Sequence, residues 1–531
     1  MCPKPAILGF CATSRSGRCR RDSIIPPMFL KAGAISLFLL VCSRLLGLAR
    51  ESAQAAAFGT SGLGDVAVLM LTLPDWLAGL LASGALAYVL LPHWAQQAPT
   101  ARAASQRRVA RTLVVLGVAL GLAIWVWRDP LVALLAAGLA PGMQPLAADS
   151  LGWSALALPA ALLAALWATR LQHERDFAGM YGANLVVNGV LVVALVLIAF
   201  HGHPTMGLVH LGWVFVGAMA LRLLWLHLRL RGAGHPAIGV APKPGDLSSG
   251  CSGPVAMPVA SDWVWAVLAA GLPSVLPFAA RSMASLSGEG GLVTFNYAWK
   301  LVELPLVLAI QLVATLAFPA ITRAFARDAV TEPDESVEGA RAVRGAFALA
   351  WTLACAAVAG LLLAAPVVAH LLFGWGRMGP EALARVAAWG AAGAWGLLPQ
   401  AVIAVALTVL ATQGRLRWAA GAYALALGGL LASAGWAGGD GARLMGLLNV
   451  ALVGVAFASL GALGRPVWDW LPLRLMGMTT ALLLAVWGVQ VAWLPGWAGQ
   501  GLASLVLAAA AAGAVIAVGW LCGPELKLAL R

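Results

Sequence analysis

Long apolar runs recur from Lys31 almost to the C-terminus, and they constrain the fold more than any other feature of the sequence. Each run is roughly 20 residues long, which is the length that an α-helix needs to cross the hydrocarbon core of a bilayer. Because 61% of the 531 residues are hydrophobic and only 10% are charged, no sizeable soluble domain fits between the runs. Lipid-exposed backbone must satisfy its own hydrogen bonds, so these spans are expected to be helical. The sequence therefore predicts an all-α integral membrane protein.

A polar stretch at 232–261, rich in Gly, Pro and Ser, follows the sixth predicted span and indicates a cytoplasmic linker. It divides about fourteen predicted transmembrane helices into two six-helix lobes followed by two C-terminal helices. The predicted organisation is an N-lobe at 28–231, a C-lobe at 262–465, and helices 13 and 14 with a tail at 466–531.

The N-terminal segment at 1–27 is polar and basic, and it lacks the cleavage pattern of a signal peptide. Two interpretations of this segment stay open. It is either a disordered tail or untranslated sequence, with Met28 as the true start just before the first span.

The net charge of +13 is distributed by topology. Most Lys and Arg residues fall in alternate connections, such as the one that contains Arg107, Arg108 and Arg111, whereas the connections at 201–205 and 494–500 contain none. This asymmetry is the positive-inside pattern of membrane proteins, and it predicts that both termini lie in the cytoplasm. The basic charge therefore does not indicate a nucleic-acid partner.

Four cations lie within apolar sequence, namely Arg44, Arg50, Arg281 and Lys300. A cation near the centre of a membrane costs about 2.5–3.5 kcal/mol on insertion scales, so such residues usually face a water-filled cavity and mark a substrate path. These cations predict a cavity that accepts an anionic cargo. For Arg50, which precedes Glu51, the alternative is a side chain that extends to the membrane interface.

Lys300 and Glu303 are three residues apart and therefore lie on one helix face. Two interpretations stay open for this pair: the charges neutralise each other to lower the cost of burial, or Lys300 binds a phosphate while Glu303 holds it in place. Arg281 has no acid close in sequence, and its planar guanidinium suits a pair of phosphate oxygens.

No pattern for a metal, a cofactor or catalysis is present in the sequence. The seven cysteines include no C-x-x-C pair, and His201 and His203 lack further ligands. There is no G-x-x-x-x-G-K-[ST] phosphate loop, so the chain is not predicted to hydrolyse ATP. We therefore predict a transporter without a bound cofactor rather than an enzyme.

A weak internal repeat places Leu73-Pro74 in the second span of the first lobe and Leu304-Pro305 in the second span of the second lobe. If the repeat is real, two pseudosymmetric bundles enclose a cargo site near the membrane midplane. The alternative is coincidence, because Pro is common in transmembrane helices.

Three segments carry a resemblance to a known family. The first is Ser43-Arg-Leu-Leu-Gly-Leu-Ala-Arg-Glu51, followed by Asp65, Leu73-Pro74 and Ser83-Gly84-Ala85. The second is Asn296-Tyr-Ala-Trp-Lys-Leu-Val-Glu-Leu-Pro305, and the third is Leu372-Phe-Gly-Trp-Gly-Arg-Met378. These segments resemble the MurJ/MviN family of lipid II flippases, within the multidrug/oligosaccharidyl-lipid/polysaccharide exporter superfamily.

The resemblance implies two six-helix lobes around a cationic central cavity, and two last helices whose groove receives a lipid tail. It places Arg44, Arg50, Asp65, Lys300 and Glu303 on charged family positions. The family usually has Arg at the position of Lys300.

One departure from the family pattern concerns the second helix. Where the family typically shows two adjacent basic residues and then an acid, this chain has Ala78, Gly79 and Ser83. Arg281 is a candidate to restore one of the missing charges. The departure leaves the identity of the cargo open.

The predicted function is a flippase for a polyprenyl-diphosphate-linked saccharide, with the peptidoglycan precursor lipid II as the first candidate. It would move this cargo from the inner to the outer leaflet of the bacterial cytoplasmic (inner) membrane by alternating access. The membrane potential or a coupled cation would drive the cycle. The alternatives are a flippase for another lipid-linked glycan of the exopolysaccharide or O-antigen type, a cation-coupled small-molecule antiporter, and a regulatory scaffold.

The protein is expected to be a multi-pass monomer whose partners are the lipid-linked saccharide and membrane lipids. The residues predicted to line the cavity and bind substrate are Arg44, Arg50, Asp65, Arg281, Lys300 and Glu303.

Overall fold

The computed structural model describes residues 27–80, 85–95, 97, 99–201, 203–233, 260–311, 313, 317, 321–322, 337–465, 467–493 and 501–529. All regular secondary structure in these ranges is helical, which confirms the predicted all-α fold class. Residues 1–26, most of the predicted linker at 232–261, and Ser83 lie outside the described residues.

Within the ranges given above, the first half of the chain contains eight α-helices. They are α1 (Pro27–Phe58), α2 (Gly62–Ala78), α3 (Ala85–Ala95), α4 (Pro99–Val126), α5 (Arg128–Leu135), α6 (Gln144–His173), α7 (Phe177–His201) and α8 (Pro204–Ala233).

The described residues of the second half contain eleven further α-helices and a π-helical segment at Leu306–Gln311. They are α9 (Ala260–Ala284), α10 (Gly291–Pro305), α11 (Val337–Phe373), α12 (Pro380–Ala394), α13 (Leu397–Thr412), α14 (Leu416–Ala432), α15 (Gly441–Leu463), α16 (Val467–Trp470), α17 (Leu473–Trp493), α18 (Gly501–Cys522) and α19 (Pro524–Ala529).

Ten helices of the described part are long and apolar enough to cross a membrane. Helices α12 and α13, which meet at a bend of 47°, give an eleventh span when they are counted as one. The predicted tenth span at 386–411 corresponds to this bent pair. The exact count of fourteen stays a prediction.

Close helix packing in the first half depends on two glycines of α4, Gly117 and Gly121. A Cβ atom added at Gly121 would lie 2.6 Å from the carbonyl oxygen of Ala155, and one added at Gly117 would lie 2.7 Å from the Cα of Pro159. Two small residues four positions apart let the backbones of α4 and α6 approach, which is a common way for membrane helices to associate.

A serine on α6 compensates for the proline inside α2. Pro74 has no N–H, so the carbonyl of Met70, four residues earlier, loses its usual helical donor. The buried Ser154 hydroxyl donates to that carbonyl at 2.6 Å. This bond removes an orphan acceptor from the apolar interior and joins α6 to α2.

The same compensation occurs between α17 and α11. Pro366 leaves the carbonyl of Leu362 without its helical donor, and Gln490 Nε2 donates to that carbonyl at 2.7 Å. The bond attaches one of the last two membrane helices to the longest helix of the second half.

The two Leu-Pro pairs have similar local structure. Pro74 in α2 is followed by π-helical residues at 79–80, and Pro305 at the end of α10 is followed by the π-helical segment Leu306–Gln311. A π-helical turn is rare and changes which residues face one side of the helix, and such turns are frequent at functional sites.

One end of the molecule is closed by hydrogen bonds between the two halves of the chain. Trp375, in the connection after α11, donates from Nε1 to Ser52 Oγ at 2.7 Å. The backbone N–H of Arg377 donates to the carbonyl of Ala56 at 3.0 Å, and that of Gly138 donates to Ser285 Oγ at 3.2 Å. We call this end, formed by the connections after α1, α5, α9 and α11, the closed end.

Candidate functional site

A cavity of about 500 Å³ lies among α1, α2, α6, α7, α8 and α10. Gln172 in the last turn of α6 and Met180 in the first turn of α7 line it, so it extends to the connection between these two helices. That connection lies at the opposite end of the helices from the closed end. The cavity is thus blocked at one end and extends toward the other.

Cations outnumber acids among the described residues that line this cavity. The cations are Arg44, Arg50, Arg222 and Lys300, and the acids are Asp75 and Glu303. Such a lining is suited to an anionic ligand, because a charged hydrogen bond is strong where water is partly excluded.

Arg50 forms two ion pairs. Its Nη2 lies 2.9 Å from Glu51 Oε1, and its Nη1 lies 3.2 Å from Asp75 Oδ2. Glu51 is almost fully buried, with 1% of its surface exposed, and its second oxygen accepts a 2.7 Å hydrogen bond from Asn296 Nδ2 of α10. The pairs link α1 to α2 and α10, because a buried carboxylate needs charged or polar partners on each oxygen.

Lys300 and Glu303 form the intrahelical pair that their spacing predicted. Lys300 Nζ lies 2.7 Å from Glu303 Oε2, and both side chains are partly exposed to the cavity. The self-neutralising contact therefore exists, and it occurs at the cavity surface where a ligand has access to both charges.

Arg222 of α8 is the cavity cation that sequence reasoning missed. Its Nη2 donates to Asn184 Oδ1 of α7 at 3.0 Å. Arg222 lies eleven positions before the end of α8, in a stretch where Arg229 and Arg231 mark the basic end of the span. The depth of Arg222 within the apolar run was the available signal, since an ionisable residue inside a span suggests a functional site.

Asp75 is the second residue that sequence reasoning missed. It follows Pro74 within the apolar helix α2. An acid inside an apolar span was the signal that could have identified it. Ala78 and Gly79, the positions where the resemblance implied cations, also line the cavity and contribute no charge.

Asp65 lies at the closed end and is not among the cavity-lining residues. It is 2% exposed, and its oxygens accept hydrogen bonds from the backbone N–H groups of Gly290 at 2.9 Å and Val293 at 2.8 Å. A carboxylate at the N-terminus of α10 satisfies amides that have no partner within the helix. Asp65 on α2 thus caps a helix of the other half of the chain.

Glu289 makes the reciprocal contact at the closed end. Its Oε1 accepts a 2.9 Å hydrogen bond from the backbone N–H of Gly62, the first residue of α2. The backbone between these two caps turns at Gly290, which has a φ of 76° and where a Cβ would collide with the carbonyl of Thr60. Only glycine fits this position without strain.

Arg281 is not among the residues that line the cavity. Its Nη1 donates to Asn296 Oδ1 at 3.1 Å, and its guanidinium carbon lies 4.7 Å from the ring centroid of Phe278. Asn296 therefore connects Arg281 to Glu51, and through Glu51 to Arg50.

Of the six predicted site residues, the structure brings Arg44, Arg50, Lys300 and Glu303 together around one cavity. The other two, Asp65 and Arg281, have the contacts described above. A role in binding stays a prediction for all six.

The family model described as lipid II flippase MurJ matches residues 54–419. None of the curated proteins matches the chain.

Solved structures share the fold over most of the chain. A lipid II flippase MurJ in an inward closed conformation superposes with a TM-score of 0.71 at 12% identity, covering 92% of this chain and 99% of that chain. An inward-facing multidrug resistance MATE transporter of the MOP superfamily has a TM-score of 0.56 at 14% identity, covering 85% and 99%. A MOP superfamily transporter from Pyrococcus furiosus, described as having a binding pocket of reverse polarity, has a TM-score of 0.55 at 15% identity, covering 85% and 96%.

Proposed function

Since this chain belongs to the MurJ family of lipid II flippases, we propose that it moves a polyprenyl-diphosphate-linked saccharide, with lipid II as the first candidate, between the leaflets of the membrane. Family membership makes the chain a transporter of the bacterial inner membrane and not an enzyme.

The observation that carries the proposal is the excess of cations in a cavity between membrane-spanning helices. The described cations that line it are Arg44, Arg50, Arg222 and Lys300, and the described acids are Asp75 and Glu303. A diphosphate offers several anionic oxygens, and guanidinium groups bind such oxygens through paired hydrogen bonds. The saccharide occupies the remaining polar space, while the polyprenyl tail stays in lipid.

The same charge balance disfavours a cation-coupled drug antiporter. A cavity that binds cationic drugs needs an excess of acids, because a buried cation requires a compensating charge. In the described part of this cavity the excess has the opposite sign.

For the topology, we propose fourteen transmembrane helices with both termini in the cytoplasm. The N-lobe at 28–231 and the C-lobe at 262–465 flank the cavity, and helices 13 and 14 follow within 466–531. This orientation follows from the basic connections. It makes the closed end periplasmic, so that the cavity extends toward the cytoplasmic side, from which the cargo enters.

The transport cycle is proposed to proceed by alternating access of a monomer. Opening the periplasmic side requires that the contacts of Asp65 and Glu289 across the closed end break. A net positive empty cavity feels about 2.3 kcal/mol per charge per 100 mV of membrane potential, which favours its return to the cytoplasmic side. Asp65 and Glu303 are the candidates for a coupled cation.

Complementation tests the function. A bacterium depleted of its own lipid II flippase is given this chain, started either from Met1 or from Met28, and survival is followed. We expect rescue by the wild type and loss of rescue by Arg50→Ala and Lys300→Ala at equal membrane abundance. Arg443→Ala is the matched control, because its side chain is 71% exposed and lies outside the cavity.

A flippase for another lipid-linked glycan is the second candidate. The neutral residues Ala78 and Gly79 in the cavity wall favour it, because they leave this wall with fewer cations than the family pattern. A wild type that reaches the membrane but does not rescue would argue against lipid II and for this second cargo class.

A further inference from the structure

A second cavity, of about 330 Å³, lies in the second half of the chain among α9, the π-helical segment Leu306–Gln311, α13 and α14. We call it the second cavity, and the cation-lined cavity among α1, α2, α6, α7, α8 and α10 the first cavity. The two have equivalent places in the order of the helices. The first half begins with α1 and α2, and α6 and α7 follow α4; the second half begins with α9 and α10, and the bent pair α12–α13 and α14 follow α11. The second cavity is therefore a feature of the fold and not a local packing fault.

The two cavities differ in charge. The first is lined by four described cations and two described acids, whereas no Lys, Arg, His, Asp or Glu is among the described residues that line the second. A diphosphate would find no cation in that described wall, and a buried cation would find no acid to compensate it. The second cavity is therefore suited to an uncharged ligand.

Two side chains with unused hydrogen-bonding capacity line the second cavity. Tyr423 of α14 is 6% exposed, and its hydroxyl makes no hydrogen bond to any described residue. Gln400 of α13 donates from Nε2 to the carbonyl of Gly396 at 3.1 Å, and no described residue donates to its Oε1. A buried hydroxyl without a partner costs about 1–3 kcal/mol, so an occupant that bonds to Tyr423 is favoured.

A proline pair in α9 adds a backbone acceptor beside these side chains. Pro273 lines the second cavity, and Pro277, four residues later, has no N–H to donate to the carbonyl of Pro273. This carbonyl thus lacks its usual helical donor. The rest of the described wall is largely apolar and includes Leu306, Ile403 and Leu407.

This combination matches a sugar ring better than a lipid chain. Sugar hydroxyls both donate and accept, so they can bond to a phenol and to carbonyl oxygens, while the C–H face of the ring packs against apolar side chains. An acyl or polyprenyl chain would leave Tyr423 and Gln400 without partners. Small-molecule pockets have volumes of about 300–1,000 Å³, so a cavity at the lower end of this range suits one ring rather than an oligosaccharide.

The two cavities share the helix that continues α10 as a wall. Val307 lines the first cavity, and Leu306, the residue before it, lines the second. A helix with its side chains is about 10–12 Å wide. A cargo whose diphosphate lies in the first cavity therefore has the second cavity within reach of the saccharide that the diphosphate carries.

We propose that the second cavity binds one uncharged sugar ring of the cargo, with Tyr423 and Gln400 as its hydrogen-bonding groups. This inference rests on the proposed function, because that function supplies a saccharide attached to a diphosphate. The second cavity then distinguishes a glycosylated polyprenyl diphosphate from one without a sugar.

The binding of two probes to the purified full chain in lipid nanodiscs tests the inference. One probe is farnesyl diphosphate, and the other is farnesyl diphosphate with N-acetylglucosamine on its terminal phosphate. The ratio of the two affinities is the sugar preference. We expect a preference of about tenfold in the wild type, a loss of about threefold or more in Tyr423→Phe, and no preference in Tyr423→Phe/Gln400→Leu, because a neutral hydrogen bond contributes about 0.5–1.5 kcal/mol. The affinity for farnesyl diphosphate itself should stay within twofold of the wild type in both variants.

Three comparisons separate sugar binding from folding. Tyr423→Phe removes a hydroxyl that bonds to no described residue, so its melting temperature should equal that of the wild type. Ala404→Leu fills part of the second cavity without removing a polar group, and it should also lower the sugar preference. Thr408→Val is the matched control on α13, because this hydroxyl donates to the carbonyl of Ala404 in its own helix at 2.9 Å and does not line the second cavity. The control should keep the preference of the wild type.

Three results would overturn the inference. The first is a wild type that binds both probes equally, and the second is a Tyr423→Phe/Gln400→Leu variant whose sugar preference stays within twofold of the wild type. The third is a Thr408→Val control that loses the preference as fully as the double variant does, since the effect would then not come from the second cavity.

Failure of this inference is distinguishable from failure of the proposed function. A wild type that does not rescue flippase depletion, but whose sugar preference depends on Tyr423, contradicts lipid II as cargo and supports the second cavity as a sugar site. A wild type that rescues, together with a Tyr423→Phe/Gln400→Leu variant that rescues and keeps the sugar preference, contradicts the sugar site alone.

Discussion

Asp65 Oδ1 accepts a 2.8 Å hydrogen bond from the backbone N–H of Val293, a residue 228 positions later in the chain. The contact joins α2 to α10 across the closed end, and the second oxygen of Asp65 bonds to Gly290. In return, Glu289 caps α2 at Gly62. Two helices from different halves of the chain thus each have N-terminal backbone N–H groups that donate to a carboxylate of the other half.

This reciprocal capping predicts that Asp65→Asn destabilises the protein. An amide in place of the carboxylate has one acceptor oxygen, so one of the two backbone donors faces an NH₂ group. An unsatisfied buried donor costs about 1–3 kcal/mol, and the melting temperature in detergent should fall accordingly. Glu289→Gln is the control, because its remaining amide oxygen still accepts from Gly62. Equal melting temperatures for Asp65→Asn and the wild type would contradict a capping role.

The ion pairs of Arg50 predict a strong coupling to Glu51. Removing one partner of a buried pair leaves an uncompensated charge and costs about 3–5 kcal/mol, so Arg50→Ala should lower the melting temperature markedly. In the double variant Arg50→Ala/Glu51→Gln the orphan charge is gone, and much of the loss should return. If the double variant is as unstable as the single one, the negative charge of Glu51 does not depend on Arg50 for its compensation.

The hydroxyl of Ser154 is predicted to matter only because Pro74 lacks an N–H. Ser154→Ala leaves the carbonyl of Met70 without a donor, and bonds of this kind between membrane helices contribute about 0.6–2 kcal/mol. In a Pro74→Ala background the residue at 74 donates to that carbonyl itself, so the same serine change should cost less. A double-mutant cycle on unfolding free energies measures this difference, and purely additive effects would refute the compensation.

Gly121 is predicted to tolerate no side chain. In Gly121→Ala the new methyl group would lie 2.6 Å from the carbonyl oxygen of Ala155, so α4 and α6 must separate. Such overpacking costs about 1–3 kcal/mol, and thermal unfolding should report it. Gly428→Ala on α14 is the matched control, because a Cβ there meets no atom within 4 Å. A Gly121→Ala variant as stable as this control would show that the two helices are not in tight contact.

The fold class was predictable because a bilayer acts on each segment separately. A run of about 20 apolar residues becomes a helix whatever its neighbours are, since its backbone must bond to itself. For this reason the predicted span at 442–463 coincides with α15, and that at 472–494 with α17. The span at 386–411 was predicted as one helix, and the structure divides it at Trp395 and Gly396. The break lies four residues before Pro399, which has no N–H to donate to the carbonyl of Trp395.

The candidate site was predictable only in part. Arg44, Arg50, Lys300 and Glu303 were found because a charge inside an apolar run is visible in the sequence, and all four line the cavity. Asp65 was visible for the same reason, yet it caps a distant helix at the closed end. The depth of a charge in the membrane follows from the sequence, whereas its partner does not.

The sequence by itself determined that this chain is a bundle of membrane helices with cations inside it, because hydropathy and charge are local properties. Only the tertiary structure decided which of these cations form ion pairs and which have a neutral partner. Arg50 meets Asp75 of another helix, while Arg222, which the sequence analysis did not single out, lines the cavity beside Asn184. These outcomes depend on how helices far apart in the chain are rotated against one another, and the pattern of a single helix does not record that rotation.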